Sequence, residues 1–233
     1  MIRKVMMMVA IMATVLSTNA QYKAGTFSLT PKVGINIASL TNVEKLPISG
    51  NVNLDRQPLG GGLIGVEAEY QLIDRLGLTA GVHFSEQGQA WKDFKGKVNG
   101  VDAEIQETEI DMGYINVPIV ANVYLYKGLA IKTGIQFGFL VFTDLQFKVK
   151  EKKNLGDGVM RDVTQYNEVK MKDKFRKVDI SIPIGLSYEF RNHLVLDARY
   201  NLGLTKVNKE SSPGEKDSKN SVFCLSLAYK IKL

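Results

Sequence analysis

Cysteine is all but missing from the chain: Cys224 stands alone among 233 residues. No disulfide can form within one chain, which excludes a disulfide-stapled secreted domain. Histidine is scarce too, with only His83 and His193, and the one cysteine has no companion ligand. Neither a metal site nor a cofactor site is therefore expected. After the first residues no apolar run reaches roughly 20 residues, so a helical membrane protein is excluded. A transmembrane β-barrel escapes that test, because only every second residue meets lipid and mean hydropathy stays near zero; here it is −0.06. Charge of one sign is not in large excess either, with 30 basic against 24 acidic residues and a formal +6 that includes Arg3 and Lys4. So weak a balance implies no nucleic acid partner.

What is present begins with "MIRKVMMMVAIMATVLSTNAQ": two cations, an apolar stretch from Val5 to about Leu16, then small residues to Ala20. This is the pattern of a secretory signal, and it predicts a leader over residues 1–20 with the mature domain over 21–233. No cysteine follows the expected cut, so no lipid anchor is expected there.

In the mature chain apolar and polar residues alternate with period two, and no segment keeps a helical stripe. In "GGLIGVEAEYQL", residues 61–72, Ile64, Val66, Ala68, Tyr70 and Leu72 alternate with Gly65, Glu67, Glu69 and Gln71. Seven further segments do the same, about Thr26–Leu40, Leu76–Ser85, Ile110–Leu125, Leu129–Val141, Val178–Phe190, 194–204 and 223–233. Short connections at Ile73-Asp74-Arg75, Tyr126-Lys127-Gly128 and Arg191-Asn192-His193 alternate with long polar ones around 41–59, 86–108, 144–177 and 205–220. In an up-and-down sheet alternate connections lie at opposite ends. The pattern therefore predicts an all-β, eight-stranded antiparallel up-and-down transmembrane β-barrel with short periplasmic turns and long extracellular loops. An even strand count puts both termini on the periplasmic side.

Alternation does not say which face is inside, and a soluble lipocalin-like lipid binder would share it. The glycines on the polar phase, among them Gly65, Gly81, Gly134 and Gly185, favour a narrow polar interior, and the apolar rows match the depth of a tilted transmembrane strand. The polar phase then brings Glu67, Glu69, Asp179, Glu189 and Asp197 into one lumen with Lys132, Arg199, Lys230 and Lys232. Buried charges are tolerated only when paired. A plugged, charge-networked interior is expected rather than an open channel, with a narrow passive pore as an alternative.

"PKVGINIASL", "GGGLIGVEAEYQL" followed by "LGLTAGVHFSEQGQ", and "YINVPIVANVYL" followed by "LAIKTGIQFGFLV" resemble the PorT-like outer-membrane β-barrel proteins of the Bacteroidetes type. The resemblance spans essentially the whole mature chain. It implies a small barrel in the cell outer membrane with a structural or secretion-accessory role through its extracellular loops, contacting outer-membrane lipid, lipopolysaccharide and other envelope or secretion proteins. The final residue, Leu233, departs from the terminal aromatic that barrel-assembly signals favour.

His83-Phe84-Ser85 is the sharpest chemical lead, since His-x-Ser on one strand face could serve a lipid A-modifying hydrolase. Its phase turns both side chains toward the lumen, away from lipid, so no enzyme and no catalytic residue is expected. Pro118 and Pro183 interrupt strands and predict a bulge or bend. The stretch 144–177 carries ten basic against six acidic residues, and its alternation predicts a hairpin above the membrane. Lys148, Lys150, Lys152, Lys153, Lys170, Lys172 and Lys174 form its candidate contact surface for lipopolysaccharide phosphates or an acidic partner. Trp91 is read as an interfacial anchor.

Overall fold

The structure, a computed structural model, describes residues 22–42, 46–49, 52–98, 101–126, 128–154, 160–209 and 217–233. The expected leader, residues 1–20, lies outside the described residues.

Eight long strands follow one another along the chain: β1 (Phe27–Leu40), β2 (Leu59–Ile73), β3 (Leu76–Trp91), β4 (Val101–Tyr126), β5 (Leu129–Asn154), β6 (Val178–Glu189), β7 (Leu194–Gly203) and β8 (Asn220–Tyr229). Each pairs antiparallel with its sequence neighbours, and β8 pairs back onto β1 from Lys32↔Ala228 to Leu40↔Asn220. The sheet is a closed ring of eight strands, so none of them leaves a free edge within the ring. Short links join β2–β3, β4–β5 and β6–β7 at one end, where the start of β1 and the end of β8 also lie.

Burial is inverted relative to a water-soluble protein. Ile64 is 61% exposed and Val33 and Ile35 are each 58% exposed, whereas Glu67 is 4%, Arg199 3% and Asp197 2% exposed. The apolar phase of every ring strand points outward as a continuous belt, rimmed by Phe27, Tyr70, Tyr126, Tyr188 and Tyr229 at the short-link end and by Phe84, Phe139 and Phe223 toward the other. A soluble lipid binder needs that row inside, around a ligand; here, among the described residues, nothing covers it. This geometry overturns the lipocalin-like alternative.

Two long connections expected from the sequence are instead largely strand. Residues 86–91 continue β3, 101–109 open β4 and 144–154 prolong β5. Above the belt these extensions form a four-stranded sheet: Phe94–Val98, β4, β5 and Met160–Lys170, in that order. Met160↔Asn154 to Lys170↔Asp144 is the register of the hairpin that alternation beyond the belt had indicated.

The phase of β5 changes on the way. Tyr114 pairs with Leu140 but Gly113 with Phe142, so Val141 is an extra residue. Below it Ile135 and Phe139 point outward; above it Thr143 is buried opposite buried Met112. One inserted residue flips every later side chain to the other face. Pro118 and Pro183 cause no such shift: Pro118↔Gln136 and Pro183↔Asn201 keep their registers, and each only interrupts pairing on its other flank, β3–β4 and β5–β6 respectively. The expected bulges at the prolines are thus replaced by gaps where the missing N–H would have donated. Trp91 is corrected as well. It is 2% exposed and packs with Leu54 and Ile105 under the outer sheet, so it is not an interfacial anchor.

Candidate functional site

The ring interior is filled in layers. At its middle, inward residues of five strands meet: Lys32 (β1), Glu67 (β2), His83 (β3), Lys132 (β5), and Asp197 with Arg199 (β7). Glu67 lies 3.3 Å from Lys32, 3.1 Å from Arg199, 4.0 Å from Lys132 and 3.0 Å from His83 Nε2. Asp197 lies 2.6 Å from Lys132, 3.2 Å from Arg199 and 3.7 Å from Lys32. Burying so many ions is costly unless each faces an opposite charge and further hydrogen bonds, which this arrangement supplies. The glycines between them are required by close approach. A Cβ on Gly65 would stand 2.3 Å from the Val82 carbonyl oxygen and 2.6 Å from the His83 ring.

Toward the short links lies a second cluster. Lys230 Nζ is 3.1 Å from Glu69 and 3.9 Å from Glu189, and donates to the Tyr124 hydroxyl at 2.7 Å. Glu69 also accepts from Tyr124 at 2.5 Å and from Asn122 at 2.8 Å. Glu189 meets Tyr22 and His193. Toward the outer sheet a fifth carboxylate, Asp179, accepts from Thr205 at 2.7 Å and Asn220 at 3.2 Å, with no ion pair to it among the described residues. Of the nine acids and bases singled out in the sequence, eight thus fall into three groups: Glu67, Lys132, Asp197 and Arg199 together; Glu69, Glu189 and Lys230 below; Asp179 apart above. Lys232 is exposed at the end of the chain and lies over the Tyr22 ring. Lys32, Tyr22 and Tyr124 escaped sequence reasoning. The signal for Lys32 was its place on the polar phase of β1, between Pro31 and Val33.

The interior is closed at both ends. On the outer side Leu40, Met112, Tyr114, Leu140, Phe175 and Val207 pack into an apolar cluster, with Phe175 and Val207 brought over the mouth by the segments 171–177 and 205–209. On the other side Tyr22 packs with Tyr124 and Ala130. Between them remain cavities of about 10 and 20 Å³, room for about a water each. Ser85 and His83 lie in this interior, 0% and 2% exposed. The Ser85 hydroxyl accepts from Asn116 and Gln87 rather than donating to His83, so no nucleophile–base pair reaches the outward surface.

The sequence-predicted basic surface is distributed as follows. Lys148 and Lys150 lie on the outward face of β5 above Val141, Lys170 ends the hairpin's second strand, and Lys172 and Lys174 lie in a single 3-10 turn (Lys172–Lys174). Lys152 and Lys153 are placed on the β5 backbone. Across the sheet Lys150 stands opposite Glu104, Lys95 also opposite Glu104, and Lys97 opposite Asp102. Lys148 contacts Glu107 and lies over the Tyr166 ring. Opposite charges therefore alternate across this face, and part of its positive charge is balanced within the sheet. Just above the belt Asp111 stands directly opposite Asp144, with Glu86 and Glu109 nearby. Burial first, and then the neighbouring Glu86, Glu109 and Asp144, push its carboxyl up to about 6.

Residues 19–209 match the model of a family described as "Outer membrane protein beta-barrel domain". Among solved structures, the chain is similar to Ail, the attachment invasion locus protein of Yersinia pestis, at 13% identity and TM-score 0.44, over 89% of this chain and 99% of that one. Neisserial surface protein A is similar at 14% identity and TM-score 0.42, over 88% and 97% of the two chains. OprG from Pseudomonas aeruginosa is similar at 11% identity and TM-score 0.40, over 92% and 99%. No functionally curated protein matches the sequence.

Proposed function

We propose, from the premise that this chain belongs to the outer membrane protein beta-barrel domain family, that it is a non-enzymatic membrane anchor whose working part is the sheet it displays beyond the belt. The protein is located in the outer membrane. In this reading the ring is an eight-stranded up-and-down transmembrane barrel, its short links periplasmic and its extended strands extracellular. The observation that carries it is the division at Val141: below, an outward apolar belt over a filled ionic interior; above, a four-stranded sheet with charged residues on its outward face. The interior supports rigidity rather than traffic, since it is packed and capped at both ends.

The finer role is structural or secretion-accessory, by resemblance to the PorT-like proteins of the Bacteroidetes type. The outer sheet, with Lys148, Lys150 and Lys170, would contact lipopolysaccharide phosphates or envelope partners. The hydrolase reading has against it that His83 and Ser85 are turned away from lipid and are not paired with each other. A passive pore has against it the Phe175–Val207 layer and Tyr22.

The test is to replace residues 145–169 by a short turn. The shortened protein should still insert and show the heat-dependent gel mobility of a folded barrel, while losing chemical cross-links to other envelope proteins and any effect on protein export. Retention of those cross-links and of export by the shortened protein would refute the assignment of function to the sheet.

A further inference from the structure

We infer that the segment 22–26, ahead of β1, is a displaceable latch: it closes the interior at the short-link end, and release of Tyr22 admits small cationic or neutral solutes to the chamber of Glu69, Glu189 and Lys230. At Gly25 the backbone adopts φ +86°, a conformation open to glycine, and turns the chain out of the line of β1. From there Tyr22 runs back into the mouth and is 5% exposed. Its hydroxyl bonds Glu189, its ring stands 5.9 Å from that of Tyr124, and Lys230 lies 4.4 Å above it. Three residues that Tyr22 touches, Tyr124, Glu189 and Lys230, line a cavity of about 20 Å³ together with Thr30, Glu69 and Ser187, among others. The Glu189 Oε2 atom is buried and has no hydrogen-bond donor among the described residues, with Lys230 Nζ 3.9 Å away.

What makes this cover a latch is how it is held. The arm is tethered by Gly25 N–H to the Gln71 carbonyl at 2.8 Å, Gln71 N–H to the Thr26 carbonyl at 2.9 Å, Ala24 N–H to Asp74 Oδ1 at 3.0 Å, and the contacts of the Tyr22 side chain itself. The outer mouth differs. Phe175 is bridged to Asn208, Arg176 N–H donates to the Val207 carbonyl, Lys209 N–H to the Lys174 carbonyl, and Leu140 N–H to the Lys177 carbonyl. Two segments are laced to each other and to the wall there. At the opposite end the cover is Tyr22, on a short arm, packed against Tyr124 and Ala130 of the wall. Local opening draws on segments outside the paired sheet, and the arm lies outside it, ahead of Phe27. Glu67 and Lys132 meet this chamber as members of the central ion cluster, and its own ions are Glu69 and Glu189 against Lys230, so it favours cations over anions.

The test places a reporter thiol in the chamber as Ser187→Cys, with Cys224→Ser throughout, in the folded full-length barrel. The rate of modification by a small cationic thiol reagent is compared for Tyr22, Tyr22→Phe and Tyr22→Ala, and for Asp74→Ala, which cuts a tether without touching the chamber. The expected result is at least a tenfold faster reaction for Tyr22→Ala, a smaller rise for Asp74→Ala, and a rate near the parent's for Tyr22→Phe. Phe175→Ala, at the other mouth, should leave the rate unchanged, and an anionic reagent of equal size should react more slowly. Equal rates for Tyr22 and Tyr22→Ala would overturn the latch, as would a Phe175→Ala rise matching that of Tyr22→Ala. An anionic reagent reacting as fast as the cationic one would overturn the ligand class. Unboiled gel mobility verifies that each variant is folded, and Asp74→Ala decides the matter if Tyr22→Ala does not fold.

Discussion

Removing a negative charge from the middle of the barrel should cost more than removing a positive one. Counting His83 as neutral, the central cluster holds three cations, Lys32, Lys132 and Arg199, against two anions, Glu67 and Asp197. Glu67→Gln leaves three buried cations facing Asp197 alone, with Lys32 retaining only its 3.7 Å contact. Leaving buried charge uncompensated in this way costs about 3–5 kcal/mol. Arg199→Met leaves two of each sign, with Lys132 still 2.6 Å from Asp197 and Lys32 still 3.3 Å from Glu67. Its cost is that of acceptors losing a donor, about 1–3 kcal/mol. In the double variant, Arg199→Met relieves the excess that Glu67→Gln creates, so the combined loss should fall short of the sum by about 1 kcal/mol or more. The assay is urea unfolding in lipid vesicles, followed by unboiled gel mobility and by the emission of the buried Trp91. At a slope of about 3 kcal/mol per molar, Glu67→Gln should lower the midpoint by about 1–1.7 M. An Arg199→Met loss exceeding that of Glu67→Gln, or additive losses in the double variant, would refute the charge-balance argument.

Two further outcomes follow from the belt and from the acids above it. Ile184 stands near mid-height of the outward row of β6 and Tyr188 at its rim; Ile184→Arg should cost about 2–4 kcal/mol in vesicles and Tyr188→Arg only about 0–1, and equal costs would contradict the placement of the belt in lipid. Because Asp111 titrates at about 6 when folded against an ordinary 3.8, the folded state holds its proton more tightly than the unfolded one. Stability at the outer ends of β3–β5 should therefore be greatest below about pH 4 and be lost as pH rises through about 6. Amide hydrogen exchange across that range should show the loss in the parent, and Asp111→Asn should flatten it.

The strands were legible because period two is a direct record of a wall with two different sides. In "GLSYEF" and "LVLDARYNLG" every second residue is apolar, and those residues are the outward ones. The tight links were legible for the same reason, since Asp74-Arg75 and Asn192-His193 interrupt the alternation at a single point. Which charges touch was less so. Phase assigns Asp179, Glu69 and Asp197 to one interior, but height within it depends on strand stagger, and stagger separates them into three layers. Lys32 reads as an ordinary strand residue beside Pro31, and only the closure of β8 onto β1 carries it to Asp197. Tyr22 precedes the first alternating residue, so no period marks it. Trp91 was misread because the end of the apolar phase at Phe84 looks like the end of the strand, whereas β3 continues to Trp91, beneath the outer sheet.

The residue that separates the two halves of this protein is Val141. Up to it, odd residues of β5 meet the surroundings and even ones, such as Lys132 and Gln136, meet the interior. Had that phase continued, Leu145, Phe147 and Val149 would face outward and Lys148 and Lys150 would crowd inward over the mouth, where the apolar Phe175–Val207 layer could not have paired them. The extra residue reverses this. Leu145, Phe147 and Val149 turn to the inner face together with Ile110 and Ile105 of β4, with which Leu145 and Val149 pair, and Lys148 and Lys150 turn outward to Glu107 and Glu104. The same "apolar–polar" alternation thus builds a lipid-facing wall below and a charged outward face above. Deletion of Val141 should consequently remove only the bulge: Tyr114↔Leu140 and Gly113↔Phe142 become consecutive pairs, and the belt, the outer sheet and the heat-dependent gel mobility of the folded protein stay as they are.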